Sequence, residues 1–346
     1  MRARVIPRRV TPGDAVAIVA PSAPGVAWWP HRLERGCRYL ESLGLEPRLM
    51  PRAGGARGRV SACGRDRAAD IHEAFADPSV GVVLAALGGD HSHQVLPHLD
   101  FELIGRNPKV FQGYSDVTVL HWALLKMAGL STFYGPALLT QCAEFPAVLA
   151  YTDRHLRQAW FGEAPIRFDA ADRWTDERLD FHTKADLTRA RRLRGTEGWV
   201  TIRRGSCTGP LVVGCLETLC SHLTGSAWWL DLRGAVLGIE MSDAHPSAAA
   251  ADSHLTTLGL LGVYEEVAGL LVGRPPRRSR NEVRLMWELL RDHTASSGLP
   301  VLANLDFGHT DPMMTLPMGV DVHLDAGRHV LELTGPATAA PSAGGS

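Results

Sequence analysis

The chain lacks the features that would assign it at once to several large protein classes. No two of its six cysteines (Cys37, Cys63, Cys142, Cys207, Cys215 and Cys220) stand in a Cys-x-x-Cys spacing. That removes the usual zinc and dithiol-redox signatures and leaves reduced, buried thiols as the expectation. An excess of one charge is missing too. With 36 Lys and Arg against 37 Asp and Glu, the formal net charge is -1, so no overall field draws the protein to a nucleic acid polymer or an anionic membrane. No apolar run approaches the length that spans a bilayer. The first one, Ala15 to Ala20, is too short for a secretory core and follows Pro12-Gly13-Asp14, so a cytoplasmic location is expected. Neither a Gly-x-Gly-x-x-Gly after the first predicted strand nor a Gly-x-x-x-x-Gly-Lys occurs, which leaves dinucleotide and phosphate-loop enzymes unsupported.

What is present is an ordinary globular composition, 45% hydrophobic and 21% charged over 346 residues, long enough for two domains. The first half alternates short apolar runs with helical spacing, the signature of strands joined by crossover helices in an α/β fold. Ala15–Ala20, Val80–Leu87 and Val110–Tyr114 read as strands; His31–Leu43, Arg65–Ala76 and Asp116–Ala128 read as helices. Between about residues 150 and 200 the pattern loosens into a charged stretch, read as a connection that folds over a site. From Gly209 onward strands and helices resume, with Ala235–Ile239, Ala268–Val272 and Val301–Asn304 as strands and Ala248–Leu261 and Glu282–His293 as helices. The expected division is 1–150, a connecting segment 151–200, 201–334, and a mobile tail 335–346. The densest basic runs, Arg189–Arg194 and Arg274–Arg280, read as solvated loops.

Gly113-Tyr114-Ser115-Asp116 is the sharpest local signal. A tight strand-to-helix turn would lift the Ser115 hydroxyl clear of the sheet beside the unpaired N–H groups of the helix start. A serine that simply caps the helix satisfies the same pattern. Gly88-Gly89-Asp90 ends another parallel-type strand, where open α/β sheets bind ligands and where glycines let backbone N–H groups approach a substrate. The following His91-Ser92-His93 offers two imidazoles, but no acid stands beside it at helical ligand spacing, which argues against a metal. A serine needs a base to take its proton, and the base needs an acceptor to fix its tautomer. His309, in a turn-rich segment after Val301–Leu305, is the candidate base. Glu240, at the tip of an apolar strand, is the candidate acceptor, although a structural arginine would suit it as well. Glu217 competes for that role from a helix where it would face water.

Three separated segments, Gly88–Asp100, Asn107–Pro136 and Asn304–Pro317, together with Gly214-Cys215-Leu216 and Ile239-Glu240, resemble the LD-carboxypeptidase family of serine peptidases. The similarity runs from Gly13 to about Asp325. It implies an N-terminal Rossmann- or flavodoxin-like α/β sandwich carrying nucleophile Ser115 and a C-terminal mixed β/α domain carrying Glu240 and His309, with the active site between them. It also implies a homodimer, no metal and no cofactor, and an oxyanion held by the N–H groups of Gly89 and Asp116. Gly89-Asp90-His91-Ser92-His93 is similar to the branch that holds microcin immunity proteins and acts on aminoacyl or peptidyl nucleotides; the other branch trims muropeptides. Gly88 and Asp90, and Trp174 and Phe181 as base-stacking rings, are the substrate-binding candidates. Anchoring the loop to the core is the competing role for both rings. A catalytically silent protein binding a peptide or nucleotide in the same cleft is the alternative from outside the enzymes.

Overall fold

The computed structural model describes residues 4–243 and 247–340. Two sheets organise the chain. The first has six strands in the order Leu316–Pro317, Phe133–Tyr134, Val110–Gly113, Val80–Ala85, Ala15–Val19, Glu46–Leu49. All neighbours are parallel except Leu316–Pro317, which runs antiparallel to Phe133–Tyr134. Ala15–Val19 and Val80–Ala85 are buried at every position, as expected of parallel strands covered on both faces, and this explains their unbroken apolar runs. Helices Pro30–Ser42 and Gly64–Ala76 make the crossovers, and each buries one stripe.

The second sheet has eight strands, centred on four parallel neighbours: Ser206–Cys215, Val236–Glu240, Gly269–Gly273 and Val301–Leu305. Antiparallel Asp321–Asp325, Val330–Leu333 and Arg167–Phe168 extend one edge and Val200–Arg203 closes the other. The mixed α/β architecture therefore follows the expected one. Leu316–Pro317 departs from the expected division of the chain, because this late segment completes the N-terminal sheet and ties the two sheets together just after the turn that holds His309.

Two expectations of disorder or looseness are corrected. Residues 151–200 begin with a helix, Ala150–Phe161, that buries Thr152, His155, Leu156, Ala159 and Trp160. Polar Thr152 and His155 on its inner face blurred the apolar period. Residues 335–340 are not a free tail, since Ala337 and Thr338 are buried and the Ala339 N–H donates to Pro7 O while its carbonyl accepts from Arg9 N–H. Residues 341–346 of the expected tail lie outside the described residues.

Candidate active site

Five strand ends converge. Ser115 follows Val110–Gly113, Gly88 follows Val80–Ala85, Tyr134 ends Phe133–Tyr134, Glu240 ends Val236–Glu240, and His309 follows Val301–Leu305. All are carboxyl ends of parallel strands, the place where open α/β sheets put ligands. Ser115 has φ of +65°, a left-handed conformation that costs a non-glycine residue energy and recurs at functional turns. From there the chain runs helically through Ser115–Val117, Thr118–Ala123 and Leu124–Ala128. Buried His121 props the turn from below: its Nε2 contacts Gly113 O at 2.9 Å and its Nδ1 contacts Thr132 Oγ1 at 2.8 Å. Burial holds His121 down at about 4, so it stays neutral.

The Ser115 hydroxyl lies 3.0 Å from His309 Nε2, and His309 Nδ1 lies 2.7 Å from Glu240 Oε2. A carboxylate only accepts, so the neutral ring carries its proton on Nδ1 and leaves Nε2 as acceptor for the hydroxyl. Glu240 is fully buried and His309 is 9% exposed. Burial opposes charge on the imidazole, but the field of Glu240 and its hydrogen bond outweigh it, with Asp243 adding and Arg178 subtracting; His309 stands above its ordinary value. Gly308, at φ +100°, could carry no side chain, since a Cβ there would come 2.5 Å from Glu240 Oε2.

Tyr134 is the group that sequence reasoning missed. Its hydroxyl donates to Glu240 Oε1 at 2.6 Å and accepts the Ser115 backbone N–H at 3.1 Å. Burial first, then the Glu240 charge, push the phenol far above its usual range, so it remains a donor. One buried ring thus pins both the acid and the strained serine. Tyr134 carries no local signal in the sequence that sets it apart from a core aromatic. Cys215 is a second omission: its sulfur, a Glu240 oxygen and a His309 nitrogen all lie within 4.8 Å of one another.

Residues 16–135 match the LD-carboxypeptidase N-terminal domain and residues 208–324 the LD-carboxypeptidase C-terminal domain. The chain is 31% identical over 318 residues to a Bacillus subtilis protein described as "Probable murein peptide carboxypeptidase", covering 90% of this chain and 89% of that one. It is 28% identical over 326 residues to the microcin C7 self-immunity protein MccF of Escherichia coli, covering 93% of each. The structure of MccF in complex with glutamyl sulfamoyl guanosine superposes with a TM-score of 0.88 at 26% identity, covering 96% of this chain and 99% of that one. This chain belongs to the LD-carboxypeptidase family. It is accordingly a serine peptidase or hydrolase.

In this member of the LD-carboxypeptidase family the remaining candidates divide. Gly88 faces Ser115, since a Cβ on it would lie 3.0 Å from Ser115 Cβ and 3.4 Å from Asp116 N. Gly89 follows it and is exposed, as is Asp90. Asp116 is buried and its Oδ2 accepts Ser92 N–H at 2.8 Å. Glu217 does not face water as expected; it is 9% exposed and accepts the Ser242 N–H, which leaves Glu240 as the acid at His309. The rings of Trp174 and Phe181 are occupied within the fold. Arg194 and Arg274 lie over Trp174 at 3.8 and 4.9 Å, and Arg32 over Phe181 at 3.7 Å, so both anchor the 170–199 segment.

That segment is strapped to both sheets rather than hanging free. Asp186 is buried between Arg32, at 2.6 Å, and Arg35. Arg191 pairs with Glu144 and, at 2.8 Å, with Asp311, two residues past His309. Thr175 and Asp311 exchange backbone hydrogen bonds. The basic runs expected as solvated loops are partly buried for the same reason: Arg191 is claimed by two acids, and Arg274, 2% exposed, pairs with Asp306 at 2.7 Å. Arg178 reaches Asp243 at 3.2 Å, and its charge acts on His309. No helix is long and apolar enough to cross a membrane among the described residues.

Proposed function

We propose that Ser115, His309 and Glu240 are the catalytic triad of a hydrolase that cleaves an amide-type bond in aminoacyl or peptidyl nucleotides, acting in the cytoplasm as a homodimer. In this mechanism Ser115 Oγ gives its proton to His309 Nε2 as it attacks the acyl carbon, and Glu240 holds the ring in its Nδ1–H tautomer and balances the imidazolium. The backbone N–H groups of Gly89 and Asp116 receive the oxyanion. His309 then passes the proton to the leaving nitrogen, which departs as the C–N bond breaks. Water, deprotonated by His309, attacks the acyl-serine ester, and collapse returns the proton to Ser115 Oγ and frees the acid.

The observation that carries this reading is the unbroken line from hydroxyl to imidazole to carboxylate, 3.0 Å and then 2.7 Å. The substrate class is supported by the likeness to MccF, which has been solved with glutamyl sulfamoyl guanosine and with aspartyl sulfamoyl adenosine. The second reading, trimming of muropeptides, is favoured by the 31% identity to the murein peptide carboxypeptidase. Separate incubation with glutamyl sulfamoyl adenosine and with a tetrapeptide muropeptide, followed by mass spectrometry, decides between them. Release of glutamate from the first with the second intact is expected; the reverse pattern overturns the nucleotide reading.

A further inference from the structure

A second cluster of titratable side chains lies on the far side of the nucleophile's own neighbour. His93, in the 3-10 turn Ser92–His98, and His222, in the π-helical turn Leu219–Leu223, stack with ring centroids 4.3 Å apart and planes inclined by 18°. Asp116 completes the group: one donor atom from each of the three residues lies within 4.8 Å of the other two. The acid that the sequence around His93 lacked at helical spacing is therefore delivered by the fold from a separate strand end.

The Asp116 carboxylate is the informative member. The residue is 1% exposed. Its Oδ2 is taken by Ser92 N–H, whereas Oδ1, like His93 Nδ1, has no hydrogen-bond partner among the described residues. Leaving such an oxygen unsatisfied in the interior is costly. A guanidinium is close enough to act on it, that of Arg67, yet the Arg67 Nη groups donate to Pro21 O, His91 O and Gln94 Oε1 instead.

We propose that His93, Asp116 and His222 form a binding site for one divalent transition-metal cation of the Zn²⁺ class. Two imidazoles and a carboxylate suit zinc and its neighbours, and three protein ligands leave a fourth position for water. Tetrahedral zinc, with bonds of about 2.0–2.1 Å, needs its donors about 3.4 Å apart; the donors lie within 4.8 Å of one another, so no pair has to draw in by more than about 1.4 Å. An imidazole lone pair lies in the ring plane, so one ring must also turn out of the stack. Both histidines are only half-buried, which gives that rotation room. The Arg67 charge works against a dication, and the Asp116 charge works for it. The cation site does not depend on which substrate the serine cleaves.

The test uses the whole chain, dialysed against a chelator and titrated with Co²⁺ as the spectroscopic probe, then with Zn²⁺ in competition. One equivalent of Co²⁺ with visible d–d absorption, displaced by Zn²⁺, is expected. His222→Ala and His93→Asn should each weaken Co²⁺ binding at least tenfold while keeping the native circular dichroism, and Cys215→Ala should leave it unchanged. Absence of stoichiometric absorption overturns the proposal, and so does undiminished binding in His222→Ala. Binding lost in Cys215→Ala but kept in His222→Ala places the ion at Cys215, Glu240 and His309 and equally overturns it.

Discussion

Replacing Tyr134 by Phe removes a single oxygen from a fully buried side chain, and two hydrogen bonds at the heart of the site go with it. The hydroxyl donates to Glu240 Oε1 at 2.6 Å and accepts the Ser115 N–H at 3.1 Å. The variant therefore strips a donor from a buried carboxylate and strands the N–H of a residue already held at φ +65°. A hydrogen bond to a charged group contributes about 1.5–3 kcal/mol, and a stranded buried donor costs about 1–3 kcal/mol. Together they amount to a stability loss of about 2.5–6 kcal/mol. If half of that is lost from the transition state, kcat/KM falls by about 10- to 150-fold, since 1.36 kcal/mol is one decade. KM should change little, because Tyr134 is fully buried and does not face substrate. The pH profile separates a positioning role from a merely structural one. With one donor gone, the Glu240 charge is less dispersed and stabilises the His309 imidazolium more strongly. The acid limb of kcat/KM then moves to higher pH in Tyr134→Phe. Chemical denaturation together with kcat/KM across the neutral pH range measures both effects. An unchanged rate with an unchanged acid limb would refute the claim that this phenol sets the relay.

The other predictions concern the same relay and its supports. His309 is held above 6.5, and catalysis needs it neutral, so the acid limb of the wild-type kcat/KM profile should lie above pH 6.5; a limb below that value contradicts the Glu240 contact. The linked stability carries the opposite dependence. A raised folded value makes the protonated His309 stabilising below the unfolded value, and that contribution is lost as pH rises through the folded one; urea midpoints on either side of neutral pH for wild type and His309→Ala report it. Gly308→Ala should abolish turnover and cost about 1–3 kcal/mol, because its Cβ would meet Glu240 Oε2 at 2.5 Å in a backbone conformation already unsuited to alanine; near-native kinetics in that variant would show that the turn can yield. Asp186→Ala strands Arg32 and Arg35, and breaking such a buried cluster costs about 3–5 kcal/mol. Early proteolytic cutting within residues 170–199 is expected, and an uncut segment with an unchanged melting temperature would show that the other straps suffice.

Much of the site was legible because each part sits where a strand ends. Ser115 follows the strand Val110–Gly113, Glu240 ends Val236–Glu240 and His309 stands in the turn after Val301–Leu305, and each of these strands shows in the sequence as a short apolar run. What stayed hidden depends on partners that no local pattern announces. Tyr134 follows Phe133 in a two-residue strand and looks like any core aromatic; only the third dimension sets it against Glu240. Glu217 reads as a solvated helix position until Ser242 is found against it. The 170–199 segment lacks periodicity because its order comes from buried ion pairs, such as Asp186 with Arg32 and Arg191 with Asp311, rather than from an apolar face. Its aromatic residues illustrate the limit: the arginines that lie against Trp174 and Phe181 are not announced by any local pattern.

The most direct test of the account asks which atom attacks an electrophile. Incubation with a fluorophosphonate probe, followed by intact mass and peptide mapping, should give one adduct per chain on Ser115. Labelling should vanish in Ser115→Ala and fall by several orders of magnitude in His309→Ala. An adduct on another residue, or undiminished hydrolysis by Ser115→Ala, would contradict the central claim.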